Sequence, residues 1–214
     1  MQVINGLQGV FQTNYRMRKT FILSLIFFAA FFASCSKTAT ATGGEFRVHG
    51  TTSNPRLEGA CIYLIALDAS IRDSVGIDST FIKDGKFEIS TTKSMMGILR
   101  VDYHHRYNIE DLLVVEEAGD LYANIDSVSS AHGTPNNDAL QRWKNVNAVY
   151  RTKNATMAVN YTAARTAKDS VTMNKIKSRV DSMYLDFKQQ TYKIADGLDD
   201  GPLKEVFYKM YPNR

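Results

Sequence analysis

The stretch Gly133-Thr134-Pro135-Asn136-Asn137-Asp138 divides the sequence into two regions with different hydrophobic periods. Before it, apolar and polar residues alternate, as in Phe46-Arg47-Val48-His49-Gly50, which is the pattern of a half-buried β-strand. After it, apolar residues are spaced three and four positions apart, as in amphipathic helices. Thr134 can cap a helix, and Pro135 suits the first helical turn because no amide donor is needed there.

The region 45–133 predicts six or seven short strands with turns between them. Its continuous apolar run 60–67 predicts a strand that is covered on both faces. Asp84-Gly85 is a strong two-residue hairpin signal, and the turn at 117–120 predicts a second hairpin. The gaps between strands are too short for crossover helices, so we predict an antiparallel β-sandwich domain.

Residues 134–214 predict a C-terminal helical segment. Leu140, Trp143, Asn147 and Tyr150 share one face of its first helix. The stripe of a second, long helix follows at helical spacing: Met173, Ile176, Val180, Met183, Phe187, Gln190 and Ile194. A stretch with two glycines and a proline then precedes a short last helix that ends near Tyr211. The predicted fold class is therefore mainly β plus α, an antiparallel sandwich followed by helices.

The amino terminus has the layout of an export signal. Met17-Arg18-Lys19-Thr20 is followed by an apolar run of 13 residues, 21–33, and by small residues before Cys35. We therefore expect residues 1–34 to be a signal peptide whose true start is Met17. The run is shorter than the roughly 20 residues that span a bilayer. A buried helix is the alternative, but the run has no polar face.

Phe32-Ala33-Ser34-Cys35 resembles a bacterial lipobox, in which the cysteine becomes the lipidated first residue. The resemblance implies that Cys35 carries acyl chains such as palmitate. These chains would hold the protein on a membrane without a spanning helix, since each buried methylene contributes about 0.8 kcal/mol. A plain secreted protein with an incidental Cys35 is the alternative.

Residues 35–44 are small and polar and predict a lipidated tether, of which residues 36–44 reach about 30 Å at most when extended. No acidic run follows Cys35, which favours an anchor that faces the periplasm. The expected location is thus the cell envelope, with the protein lipid-anchored in the outer membrane on its periplasmic side.

Charge separates along the same boundary as the hydrophobic period. The formal charge of +4 falls to +1 without residues 1–34, which hold three basic residues and no acidic one, so nucleic acid is not an expected partner. Residues 35–141 hold 9 basic and 15 acidic residues, whereas residues 142–193 hold 11 and 3. The basic helices either pack on the sandwich with a solvated outer face, or bind an acidic envelope protein or anionic envelope lipids.

Histidines and cysteines give no metal or redox site. If His104 and His105 lie in a strand, they point to opposite faces and cannot hold one ion together, although Asp102 would share a face with His104. His49 and His132 are expected at the surface. Cys61 lies in an apolar run and is expected to be a small buried residue. Two cysteines are also too few for a disulfide scaffold, and we expect no cofactor.

No catalytic motif points to an enzyme. The acids Glu116, Glu117 and Asp120 cluster at a turn, where a glycosidase pair is conceivable, but the sequence fixes no separation between them. Nucleophile elbows, zinc-protease motifs and phosphate loops are absent from the sequence.

Five Asp-Ser steps, each followed by an apolar residue or Thr, resemble the O-glycosylation acceptor of Bacteroides-type envelopes. A three-residue pattern occurs often by chance, so we expect one or two used sites at most. The candidate acceptors are Ser74, Ser79, Ser127, Ser170 and Ser182.

A longer resemblance covers roughly residues 45–140. Its elements fall in order: Phe46-Arg47-Val48-His49-Gly50, Leu57-Glu58-Gly59-Ala60-Cys61-Ile62-Tyr63-Leu64, Asp84-Gly85-Lys86-Phe87, Leu113-Val114-Val115-Glu116-Glu117-Ala118-Gly119 and the stretch 133–138. Together they resemble the domain of unknown function 4369 family, envelope lipoproteins common in the Bacteroides group. The resemblance implies a β-rich fold and an envelope location.

In longer relatives of that family, this domain precedes a thioredoxin-like domain. The present sequence has no Cys-x-x-Cys motif, so the redox activity is not expected here. We therefore expect a lipid-anchored envelope protein that acts as a non-enzymatic binding or scaffolding module, with an envelope protein as a possible partner. The alternative is an accessory, shortened relative of thiol–disulfide oxidoreductases. A hydrolase is a third hypothesis.

Overall fold

The computed structural model describes residues 44–67, 74–92, 95–106 and 108–212. All of them belong to one compact unit, Thr40–Arg214. The predicted signal peptide, the lipidation site Cys35 and nearly all of the tether lie outside the described residues. Within the described part, eight strands precede three α-helices.

The strands come first along the chain. They are β1 (Phe46–Thr51), β2 (Cys61–Leu67), β3 (Ser74–Phe81), β4 (Lys86–Thr91), β5 (Met96–Val101), β6 (Leu112–Val115), β7 (Gly119–Asn124) and β8 (Ser130–His132). The helices are α1 (Pro135–Thr166), α2 (Ser170–Asp196) and α3 (Pro202–Met210). Short 3₁₀ turns form at Pro55–Leu57 and Tyr103–His105. The predicted division into β-strands and then helices is confirmed.

Two four-stranded sheets face each other, with strand orders β4-β1-β7-β8 and β3-β2-β5-β6. Every pair is antiparallel except β1 and β7, which run parallel with Val48 opposite Leu121. The predicted antiparallel sandwich is confirmed, with this one parallel pair as an exception. Between β1 and β7 the chain builds strands of the second sheet, and this excursion provides the crossover that a parallel pair needs.

The two predicted hairpins are wrong in their pairing, although the turns form. Asp84 and Gly85 have φ of 52° and 67°, as a tight hairpin turn requires, and Lys83 pairs with Lys86. However, β3 then pairs with β2, and β4 pairs with β1 in the other sheet. The turn after β6 likewise leads into the other sheet. Both turns therefore connect the two layers.

The close approach of Gly50 in β1 to the ring of Phe87 in β4 explains why these two strands pair. Gly50 of β1 is buried against the ring of Phe87, and a Cβ at position 50 would overlap that ring. Phe87 and Ile89 both enter the core between the sheets. The turn fixes only the local reversal of the chain, whereas this packing selects the sheet in which β4 pairs.

The outer face of strand β2 is exposed at Tyr63 and partly covered at Leu67, which packs against the helices, so the prediction that both faces are covered along the whole strand is wrong. Ile62 and Leu64 are fully buried, whereas Tyr63 is 38% exposed. A two-sheet sandwich buries only the inner face of each sheet, and alternate residues of β2 therefore point outward. Cys61 lies on the outer face with Tyr63 and is only half-buried, which corrects its expected full burial. A hydrogen bond with Cys61 raises the pKa of Tyr63.

The helices pack on one another and on the sandwich through a second apolar cluster. Its buried members are Met96, Val115, Ala139, Leu140, Ala195, Leu198, Leu203 and Phe207. The start of α1, the end of α2 and α3 thus lie against β5 and β6. Among the described residues, none of the helices is both long and apolar enough to cross a membrane.

Candidate functional site

The junction between sandwich and helices is built by the side chain of Asn137. Its Oδ1 accepts a hydrogen bond from the Val115 amide at 2.9 Å, and its Nδ2 donates to the Val115 carbonyl at 2.7 Å. Val115 ends the edge strand β6, so this side-chain amide takes the place of a neighbouring strand. Asn137 also donates to Thr134 Oγ1 at 2.8 Å.

Glu117 caps the first turn of α1. Its carboxylate accepts from the amides of Asn136 and Asn137 at 2.7 and 3.3 Å, and from Asn136 Nδ2 at 2.6 Å. A negative charge at a helix N-terminus is stabilising because free amides point at it. The prediction that helix α1 begins here is confirmed, but the Thr134 side chain makes no capping bond. The cap comes from Glu117, eighteen residues before the start of the helix.

The first ten residues of α1, 135–144, then follow the edges of both sheets. Gln141 Oε1 accepts from the Ala131 amide of β8 at 3.0 Å. Lys144 Nζ lies 2.7 Å from Glu110 Oε2 and also donates to the Ser129 carbonyl. These polar contacts cover edge strands that would otherwise offer free backbone groups, and they fix the direction in which α1 leaves the sandwich.

Beyond Lys144 the two long helices form what we name the basic prong, residues 145–193. The α1 part of the prong, residues 145–166, is about 33 Å long at 1.5 Å per residue. The prong holds nine basic and three acidic residues. Eight of its cations are exposed and form no salt bridge with any other described residue: Arg151, Lys153, Arg165, Lys168, Lys175, Lys177, Arg179 and Lys193.

The prong is a thin structure. Its buried apolar residues are Ala164, Ile176, Phe187 and Tyr192. Near its base, Tyr150 stacks on Phe187 with 4.6 Å between ring centroids, beside a groove of about 260 Å³. Large aliphatic side chains are also exposed to solvent along the prong, namely Val149, Val159, Val171 and Leu185.

The turn at the end of the prong is held by Asp169. Lys168 has a φ of 55°, which ends α1 in the left-handed region. Asp169 then caps α2, because its carboxylate accepts from the Thr172 amide at 3.0 Å and from Thr172 Oγ1 at 2.6 Å. The hydrogen bonds from the Thr172 side chain and backbone lower the pKa of Asp169.

Glu45, the residue after the predicted tether, lies at the base of α1. The Gly119 amide donates to the Glu45 carbonyl at 3.0 Å, and a Cβ at Gly119 would lie 3.1 Å from Thr134 Cγ2. Residue 45 is therefore close to the start of α1, whereas the end of α1 lies about 45 Å farther along the helix axis. The chain enters at one end of the molecule, and the prong ends at the other.

A second surface lies on the outer face of the first sheet, where a row of rings crosses three strands. His49, Tyr122 and His132 are cross-strand neighbours and stack with centroid distances of 5.3 and 5.5 Å. They line a cavity of about 360 Å³. Two carboxylates flank His49, with Asp120 Oδ1 3.1 Å from Nε2 and Glu88 Oε1 3.5 Å from Nδ1.

The geometry of this row limits its chemistry. Both faces of Tyr122 are covered by imidazoles, so no open ring face is left on which a sugar could stack. His49 and His132 lie on strands separated by β7, about 9.5 Å apart. One metal ion binds imidazole nitrogens at about 2 Å, so it cannot bridge the two. The row therefore does not hold one metal ion between its two imidazoles.

Comparison with known families identifies the β-region and its helical junction. Residues 46–140 match the family model described as a domain of unknown function, DUF4369. This segment is a DUF4369 domain. The DUF4369 domain comprises both sheets and ends at Leu140, so it contains Glu117 and Asn137 but stops before the basic prong begins. Searches among curated proteins and solved structures gave no match.

Within the DUF4369 domain, the three acids that clustered in the sequence have separate surroundings. Glu116 is fully buried beside Gly97, Glu117 caps α1, and Asp120 lies against His49. They do not share a cleft in which two carboxylates could flank one bond.

His104 and His105 lie in the 3₁₀ turn after β5, so the assumption that they continue that strand is wrong. The strand ends at Val101, and the Asp102 carboxylate accepts from the His104 amide at 3.3 Å. Among the described residues, no group of three or more His, Cys, Asp or Glu side chains is placed to hold a metal ion.

Four of the five candidate glycosylation serines are exposed: Ser79, Ser127, Ser170 and Ser182. The side chain of Ser74 lies outside those described. In three of the patterns the aspartate has a local role. Asp78 and Asp126 accept from the amide of the next serine at 2.7 Å, and Asp169 caps α2. Glycosylation at these serines stays a prediction.

Proposed function

We propose that the protein is a lipid-anchored envelope protein that acts as a non-enzymatic binding module and presents its basic prong to an anionic partner. The observation that carries this proposal is the set of eight exposed prong cations without a salt bridge to any described residue. Like charges held on two thin helices repel one another, and an anionic partner relieves that repulsion. The sandwich serves as the rigid base.

The charge distribution supports an external partner over intramolecular docking. Lys144 and Glu110 form a salt bridge between α1 and the sandwich, and Lys144 lies below the prong. The other ion pairs of the sandwich, such as Arg47–Glu45 and Arg100–Asp111, join its own residues. The acidic sandwich therefore does not neutralise the prong.

The positions of the two ends support the anchored arrangement. Residue 45 lies at the base of α1, so a tether from a lipidated Cys35 would hold the sandwich near the outer membrane. The prong would then point away from that bilayer, into the periplasm. The separate surroundings of Glu116, Glu117 and Asp120 favour a binding role over hydrolysis.

Palmitate labelling tests the anchor. Cells that express the full chain should incorporate labelled palmitate into the protein, and the Cys35→Ala variant should lose the label because its thiol is the acceptor. A Cys61→Ala variant is the matched control and should keep the label. Equal labelling of the Cys35→Ala variant would overturn the anchor.

Site-specific photocrosslinking in intact cells tests the binding surface. A photoreactive residue at Lys168, at the end of the prong, should give crosslinked products, whereas one at the exposed Lys83 of the sandwich should give few. Products at position 83 with none at position 168 would contradict a binding role for the prong.

A further inference from the structure

The tip of the basic prong, residues 165–179, concentrates positive charge. It contains five exposed cations: Arg165, Lys168, Lys175, Lys177 and Arg179. Its one acidic residue is Asp169, whose carboxylate is engaged by Thr172 in the helix cap. The tip therefore carries a net charge of +4, from five basic residues and one acidic residue.

The cations lie on both flanks of the tip. Lys175 and Arg179 are four residues apart and share one side of α2, whereas Lys177 is about 200° around the helix from Lys175. Lys177 lies over the ring of Tyr161, with Nζ 5.9 Å from its centroid, so it faces α1. A partner helix packed alongside would reach one flank only. A flat anionic surface that meets the prong end-on would reach both.

An aliphatic side chain also projects at the tip. Val171, in the first turn of α2, is 62% exposed. Exposed aliphatic residues beside several cations are typical of segments that insert shallowly among lipid headgroups, where the cations contact phosphates and the apolar group enters the acyl boundary.

We propose that the tip of the prong docks end-on onto a bilayer surface that contains anionic lipids. This inference rests on the proposed function, in which the prong is the binding surface, and names its partner as a membrane. Because the chain enters at the opposite end of the molecule, the docked surface faces the one that holds the anchor. The protein would then bridge two surfaces.

Vesicle flotation tests the proposal. The processed chain, residues 35–214 with Cys35→Ser, contains the whole compact unit and carries no lipid, so the measured binding is independent of the anchor. It should float with vesicles of phosphatidylcholine and phosphatidylglycerol, and not with phosphatidylcholine alone. Added salt should weaken the binding because it screens the charges.

Charge variants locate the surface. A triple change of Lys168, Lys175 and Arg179 to Gln should weaken binding about a hundredfold, at about fivefold for each cation near an anionic surface. The matched control changes three exposed sandwich cations, Arg56, Lys83 and Lys86, to Gln and should leave binding unchanged. All six side chains are exposed, and circular dichroism checks that both variants fold.

Three outcomes would overturn the membrane proposal. Equal weakening in both triple variants would show that net charge, and not the tip, governs binding. Binding to polyglutamate with none to anionic vesicles would assign the tip to an acidic protein and would leave the proposed function intact. If the chain bound neither anionic vesicles nor polyglutamate, the tip would not be a charged docking surface. Palmitate labelling would still test the anchor separately.

Discussion

The sandwich and the basic prong differ in how they are stabilised and in where they carry charge. The sandwich buries 17 residues in one apolar cluster and pairs some of its acids with nearby cations, as in Arg100–Asp111. The prong buries only four apolar side chains along two helices and leaves eight exposed cations without a salt bridge to the described residues. The difference teaches that the large apolar core and the unpaired positive charge reside in separate parts of one chain.

Matched phenylalanines should give the largest contrast between the two regions. Phe46 in the sandwich and Phe187 in the prong are both buried. Phe46→Ala should lower the free energy of unfolding by about 3–5 kcal/mol because it leaves a cavity between two rigid sheets. Phe187→Ala should cost less, about 2 kcal/mol, because neighbouring side chains and water can fill the space on a thin prong. Urea denaturation followed by circular dichroism measures both, and equal losses would contradict the contrast.

Removing the junction amide should have the next largest effect. Asn137→Ala leaves the amide and carbonyl of Val115 unpaired at a buried strand edge, so it should cost about 2–3 kcal/mol of unfolding free energy. Asn160→Ala is the control, since Asn160 is exposed on the same helix and gains the same helix propensity. If Asn137→Ala lowered the unfolding free energy by no more than Asn160→Ala does, the junction would not stabilise the sandwich.

The smallest expected effect is the change with pH in the stability of the helix cap that Asp169 forms at the tip. The folded carboxyl of Asp169 has a pKa below its ordinary value of 3.8, because the Thr172 side chain and backbone donate to it. Its contribution to the helix cap is therefore complete above pH 3.8 and declines as the pH falls through the lowered folded pKa. Carboxyl NMR titration should find the pKa of Asp169 below 3.8. Thr172→Val should raise that pKa back toward 3.8. An unchanged Asp169 pKa in the Thr172→Val variant would exclude the Thr172 hydroxyl as a cause of the lowered pKa.

Local signals in the sequence predict the elements well. The change of period at Gly133, the proline at the first position of α1 and the left-handed Asp84-Gly85 turn are each read from a few neighbouring residues. The helical stripe that begins at Met173 also corresponds to α2. Each of these features depends on backbone preferences that are fixed within one or two turns of chain.

Strand pairing and the geometry of the candidate sites could not be predicted from neighbouring residues in this way. His49, Tyr122 and His132 are up to 83 residues apart, and only the strand register brings their rings together. The role of Asn137 as a substitute strand depends on where the edge of β6 ends. The excess of basic residues after Trp143 was visible in the sequence, but the sequence could not tell whether they pack on the sandwich or project from it.

A distance measurement tests the central claim, that the chain enters at one end and the prong ends at the other. Spin labels at cysteines introduced at Glu45 and Lys168, with Cys35 and Cys61 changed to Ser, report this distance by pulsed electron paramagnetic resonance. A reference pair at Glu45 and the exposed Ala118 should be close. The account predicts one narrow distribution near about 45 Å for the first pair, from the length of α1. A distance as short as that of the reference pair would contradict it.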